Sequence, residues 1–196
     1  MKGYTTIQQI QNYLLLDIAL FFQSQVEEWI SQVEDYIDQK TGRNFVADTV
    51  ASIKSYNGNG SNELIIDDCV DVTKIEIYDT DGNLLEGSLV AGTDYFLEPA
   101  NDTPKQSIRL YGHIFSRGIQ NIKVTAKWGY SVEAPKSIVN AATILVSNII
   151  NFSNQSDGEI QSLSVGSYNV SFKDQSKRDD FERVPEILDS FIKYDY

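Results

Sequence analysis

The sequence is short of the residues on which most enzyme chemistry depends. Its 196 residues include one cysteine, Cys69, and one histidine, His113. A lone thiol excludes an internal disulfide framework and implies a compartment in which disulfides are not needed. Zinc usually takes three or four His or Cys ligands, and this chain has two such residues in all. A Ser-His-Asp or Cys-His centre would have to use His113, which lies in Tyr111-Gly112-His113, the pattern of a strand end or turn. Cations are also scarce, with 16 Lys and Arg against 28 Asp and Glu and a net charge of -12. Gripping a DNA backbone takes clustered Lys and Arg, and the best cluster here, Lys177-Arg178, is cancelled at once by Asp179-Asp180. Long apolar runs are missing too. The greasiest stretch, 14–22, is broken by Asp17 and falls short of the roughly 20 residues of a membrane span. The first residues carry no apolar segment of the kind a secretory leader needs.

Candidate ligand sites fare no better on spacing. Asp79-Thr80-Asp81-Gly82-Asn83 resembles the start of a calcium loop, but an EF-hand places its glycine sixth and a glutamate twelfth, and here glycine is fourth. A turn is the expected reading. Asp67, Asp68 and Asp71 are expected to form an acidic loop between two strands. Gly58-x-Gly60 lacks the third glycine and the following helix of a dinucleotide fingerprint. No cofactor or metal is expected.

What is present is a change of periodicity along the chain. Thr6-x-x-Gln9 is a capping-box pattern, and Ile7, Ile10 and Leu14 share one face of a short helix. Asp17 can cap a second helix whose apolar positions, Phe22, Val26, Trp29, Ile30, Val33 and Ile37, step by threes and fours. Gly42 is placed to end it. From 50 to 128 the pattern is that of strands, at 50–56, 63–66, 72–78, 94–97, 107–111 and 121–128, separated by turn signals at Asn57-Gly58-Asn59-Gly60 and Asp81-Gly82. Six short strands of this kind suggest a small sandwich or open barrel. Pro135 then opens a helix that is apolar on a broad face (Ile138, Ala141, Ala142, Leu145, Ile149, Ile150), as expected of a central element. A polar break at 154–158, a hairpin about Val165-Gly166-Ser167, a charged linker at 175–180 and a short helix at 184–192 complete the chain. The class is α+β: a bundle of about four helices with an inserted antiparallel β lobe of about six strands, then a C-terminal hairpin and short helix. By segment, 1–49 holds the first helices, 50–130 the lobe, 131–153 the core helix and 154–196 the hairpin, linker and last helix. Together they are expected to form one structural unit with an elaborated lobe.

Four segments, in this order, resemble the head–tail connector (adaptor, or head-completion) proteins of tailed bacteriophages. The first is Tyr4-Thr5-Thr6 leading into a helix through Leu14. The second is the helix ending Ile37-Asp38-Gln39-Lys40-Thr41-Gly42-Arg43-Asn44-Phe45, matching the pattern Ile-Asp-x-x-Thr-Gly-Arg-x-Phe. The third is a strand ending Trp128-Gly129-Tyr130 before Ala134-Pro135 and an apolar helix. The fourth is the hairpin through Val165-Gly166-Ser167-Tyr168-Asn169-Val170-Ser171-Phe172 and the helix after it. The lobe at 50–128 is longer than in minimal connectors.

The resemblance implies a non-enzymatic virion protein at the head–tail interface, present in the host cytoplasm during assembly. It implies a ring, usually of twelve copies, docked under the portal protein. Such a ring extends the DNA channel and carries the stopper or tail-completion protein, and DNA passes without specific binding. The family's C-terminal segment contacts the portal, which nominates Val184, Ile187, Leu188, Phe191, Ile192, Tyr194 and Tyr196 as portal-binding residues. An acidic balance suits such a conduit, since carboxylates repel phosphate. Two other readings follow from the residues alone. One is a β-rich carbohydrate- or protein-binding module using Tyr56, Tyr78, Tyr95, Tyr111 and Trp128. The other is an acid-catalysed hydrolase, for which no motif nominates a carboxylate pair.

Overall fold

The computed structural model describes residues 1–15, 18, 23–79, 81–87, 89–153, 162–165, 168–171 and 180–193. The chain divides into two compact units, one of residues Met1–Phe45 with Ala134–Tyr196 and one of Val46–Glu133.

The first unit is helical. Helix α1 (Ile7–Leu14) begins with the capping box its sequence encodes: the Gln9 amide donates to the Thr6 hydroxyl while the Thr6 amide donates to the Gln9 side chain. Helix α2 (Gln23–Thr41) buries Val26, Ile30, Val33 and Ile37 on one stripe, and it also buries Glu34. It ends where Gly42 adopts φ +68, the left-handed conformation glycine takes without steric cost. Helix α3 (Lys136–Ser153) is buried at every position from Ala141 to Asn148, so it is surrounded rather than merely faced by other elements. It packs against α1, α2, the last helix α4 (Val184–Asp189) and the second strand of a terminal hairpin, whose two strands are Ser162–Val165 and Tyr168–Ser171. The expected polar break at 154–158 and most of the expected linker at 175–180 lie outside the described residues.

The second unit is one six-stranded antiparallel sheet rather than the two facing sheets of a sandwich. Its strands are β1 (Ser52–Gly58), β2 (Glu63–Tyr78), β3 (Leu84–Glu86), β4 (Tyr95–Glu98), β5 (Lys105–Leu110) and β6 (Gly118–Trp128), in the order β1-β6-β2-β5-β4 with β3 paired to the end of β2. The expected strands at 63–66 and 72–78 are one 16-residue strand, and the acidic stretch between them is part of it. Register shifts between Ile65 and Cys69, Cys69 and Asp71, and Val72 and Lys74 break its alternation, which is why its sequence imitates two strands and a loop. Those irregularities let its first part pair with β5 and its second part with β6. The core is made of Leu64, Ile66, Cys69, Ile75, Ile77, Tyr95, Ile108, Phe115, Ile122, Val124 and Trp128.

Candidate interaction surface

The Ile-Asp-x-x-Thr-Gly-Arg-x-Phe stretch at the end of α2 is a clasp, and each named residue has a physical task. Ile37 is fully buried. The carboxylate of Asp38 accepts hydrogen bonds from the Tyr4 hydroxyl (2.5 Å) and the Lys2 ammonium (2.8 Å). The Thr41 hydroxyl turns back to the Ile37 carbonyl (2.8 Å), a common use of threonine in a last helical turn. Gly42 reverses the chain. Arg43 then donates from Nε to the carbonyl of Phe191 (2.7 Å), and Phe45 stands edge-on between Tyr4 (5.8 Å between centroids) and Phe191 (5.4 Å). The Phe45 amide donates to the Tyr4 hydroxyl (2.8 Å). Burial, together with the Asp38 carboxylate, pushes the Tyr4 phenol well above its ordinary range, so this hydroxyl stays protonated and can donate while it accepts.

A second carboxylate completes the clasp on the side of the chain's start. Glu34 is 1% exposed and accepts from the backbone amides of Lys2 (2.6 Å), Gly3 (2.8 Å) and Tyr4 (3.0 Å). Three charge-assisted bonds compensate its desolvation. Helical periodicity gave no sign of this role. The partners of Glu34 are backbone amides some thirty positions away, which no pattern within the helix reveals.

The nominated portal-binding residues are dispersed by the fold. Val184 and Leu188 are 2% and 0% exposed and belong to the core of the helical unit. Ile187, Phe191 and Ile192 are half-buried, and Tyr194 and Tyr196 lie outside the described residues. The helix is joined to α2 by the Lys193 amide, which donates to the Thr41 carbonyl (2.8 Å), and by Lys40, which pairs with Asp189 (3.0 Å).

In the lobe, the aromatics that a sugar-binding face would use are mostly turned inward. Tyr95 and Trp128 are 3% and 4% exposed. The Trp128 indole donates to the Ser52 carbonyl, the Tyr56 hydroxyl bonds to Asp67, and Lys123 lies over the Tyr78 ring. Tyr111 alone of the five is open, at 73%. It follows β5, whose residues Leu110 and Ile108 point inward, so Tyr111, Arg109, Phe96 and Ile65 share the outer face of β4, β5 and β2 by register.

The acidic residues are engaged locally. Asp67 pairs with Lys54 (2.8 Å), and Asp68 accepts from the Gln106 amide (3.2 Å). Asp79 closes its turn by accepting from the amides of Asp81 and Asn83, and those bonds, with the Asn83 side chain foremost, hold its carboxyl below the usual range. Among the described residues no group of three His, Cys, Asp or Glu side chains is placed to hold a metal ion. His113 pairs with Glu86 (3.3 Å) in an open cleft of about 660 Å³ lined also by Asn62, Leu110, Ile114 and Ser116. Among the described residues no helix is long and apolar enough to cross a membrane.

No protein-family model matches this sequence, and no characterised protein matches it in sequence. The fold, by contrast, is found in solved particles. It is similar to a chain in the neck of an empty gene transfer agent particle computed with C6 symmetry, at TM-score 0.54 and 10% identity, over 89% of this chain and 80% of that one. A chain in the neck of the native particle computed with C12 symmetry matches at TM-score 0.52 and 11% identity, over 97% and 89%. A chain of the virion of the native particle matches at TM-score 0.50 and 15% identity, over 96% and 89%. The chain therefore has a fold of particle necks, in agreement with its connector-like motifs.

Proposed function

We propose that this protein is a head–tail connector: a structural virion subunit that assembles as a ring on the portal, extends the DNA channel and carries the stopper or tail-completion protein. The observation that carries this reading is the fold likeness, which spans 89% to 97% of the chain with neck proteins from particles computed with C6 and C12 symmetry. A ring of twelve copies is the arrangement that likeness favours, and closed rings require a head-to-tail contact between neighbours. The protein acts without catalysis, and DNA passes it without specific contact. The net charge of -12 supports a conduit over a DNA-gripping surface. The assembled form belongs to the virion, and the free subunit to the host cytoplasm.

Portal contact is assigned to the C-terminal segment, with a division of labour inside it. Val184 and Leu188 seat the helix on its own unit. Ile187, Phe191 and Ile192, followed by Tyr194 and Tyr196, supply the side chains offered to the portal.

The test is to mix the purified protein with portal rings from the same genome and image the mixture by negative stain. A second ring stacked coaxially on the portal is the expected result, and its symmetry gives the copy number. Folded protein that leaves the portal bare across a range of concentrations would overturn the reading.

A further inference from the structure

We infer that Arg43 is a positioning residue for portal docking: it fixes the course of the chain at 191–193, so that the half-buried Phe191 and Ile192 are offered to the portal in one orientation. The inference rests on the portal reading above and adds to it a determinant outside the segment that does the docking.

Helix α4 has six residues, which is too short to hold its own geometry in water. Its placement must come from tertiary contacts. Within the helix itself those contacts are core burial, through Val184 in its first turn and Leu188 in its last. At its end they converge on one short stretch, 40–45. Lys40 pairs with Asp189 at 3.0 Å, the Thr41 carbonyl accepts from the Lys193 amide at 2.8 Å, Arg43 Nε donates to the Phe191 carbonyl at 2.7 Å, and Phe45 meets the Phe191 ring edge-on at 88°.

These contacts differ in what else they do. Thr41 and Phe45 are buried and belong to the core as well, while Lys40 and Asp189 are a surface pair, of a kind worth little. Arg43 is half-buried, and its bond to a backbone carbonyl sets the direction of the chain at Phe191 rather than the packing of a side chain. A guanidinium fixes its Nε–H in a rigid plane, which a lysine ammonium does not reproduce. The left-handed turn at Gly42 (φ +68) is what brings Arg43 round to that carbonyl.

The experiment uses the full chain with Arg43→Ala and, as a milder change, Arg43→Lys. Hydrogen exchange at the amides of 191–193 and affinity for portal rings are both measured against wild type, with thermal melting as a control. Arg43→Ala is expected to speed exchange at 191–193, to leave the melting of the rest near wild type, and to weaken portal binding about tenfold, the cost of ordering one or two more side chains on association. Arg43→Lys is expected to do the same to a smaller degree, and it carries the test by itself if the alanine variant does not fold. Unchanged exchange would show that Arg43 does not hold the segment. Faster exchange with unchanged or tighter portal binding would show that the course of the chain there is irrelevant to docking. Either result overturns the inference while leaving the portal reading intact. Wild-type protein that does not bind portal rings would instead overturn the portal reading, and this inference with it.

Discussion

Cys69 sits on β2 with no exposure, and burial, followed by the charges of Asp71 and Asp68, pushes its thiol up to about 12 from an ordinary 9.0. The folded state therefore keeps the proton that the unfolded chain releases. Stability from this group is whole below pH 9 and declines as the pH rises towards about 12. Cys69→Ala is expected to flatten the alkaline limb of a stability–pH curve over that window, measured by urea denaturation. In the native wild-type protein, a thiol reagent at neutral pH is expected to label Cys69 only at the rate of unfolding. The sequence could show that one thiol exists, but its burial depends on the bent course of β2. Glu34 makes the same point from the other direction. Val26, Ile30, Val33 and Ile37 were legible as a buried stripe because their spacing is a property of the helix itself. Glu34 is buried because Lys2, Gly3 and Tyr4 lay their amides on it, and no local pattern encodes that.

Among the elements, helix α3 was the most legible, since Pro135 marks its start and its apolar positions run almost all the way round. Strand β2 was the least legible. Its register shifts remove the alternation by which strands are recognised, and three aspartates in the five residues 67–71 imitate a loop. The Trp128-Gly129-Tyr130 motif that ends β6 has a steric explanation. Gly129 has φ +138 and donates to the Asp68 carbonyl (2.7 Å), and a Cβ there would lie 2.5 Å from the Ala47 Cα. Neither strain nor contact can relax easily, because the neighbour is backbone. Gly129→Ala is expected to destabilise the lobe by about 3 kcal/mol or more, combining a glycine-only backbone conformation with overpacking. Gly82→Ala is the control: its φ of +84 is also left-handed, but a Cβ there meets nothing within 4 Å. It is expected to cost about 1 kcal/mol. Chemical denaturation of the two variants separates the contributions, and equal losses would mean that the close approach at Ala47 yields.

For the molecule as a whole, the clasp changes how the proposed portal contact of the C-terminal segment has to be tested. Deleting 184–196 would remove Val184 and Leu188 from the core along with any portal contact, so lost binding could reflect lost folding. The informative cut falls after Lys193, whose amide donates to the Thr41 carbonyl the last described hydrogen bond within the helical unit. A chain of residues 1–193 keeps the helix, the clasp and every core residue named above. It loses Tyr194 and Tyr196, two amphipathic side chains of the type enriched where interfaces concentrate their energy. Its melting temperature is expected to match wild type, while its affinity for portal rings is expected to fall about tenfold to a hundredfold, as for the loss of one or two such anchors at about 1–2 kcal/mol each. Sedimentation with portal rings, read beside a melting curve, measures both. If 1–193 stacks on the portal as well as wild type does, the contact must come from residues before Tyr194. The half-buried Ile187 and Ile192 are then the side chains to substitute next, because Phe191 packs edge-on against the buried Phe45 and they do not.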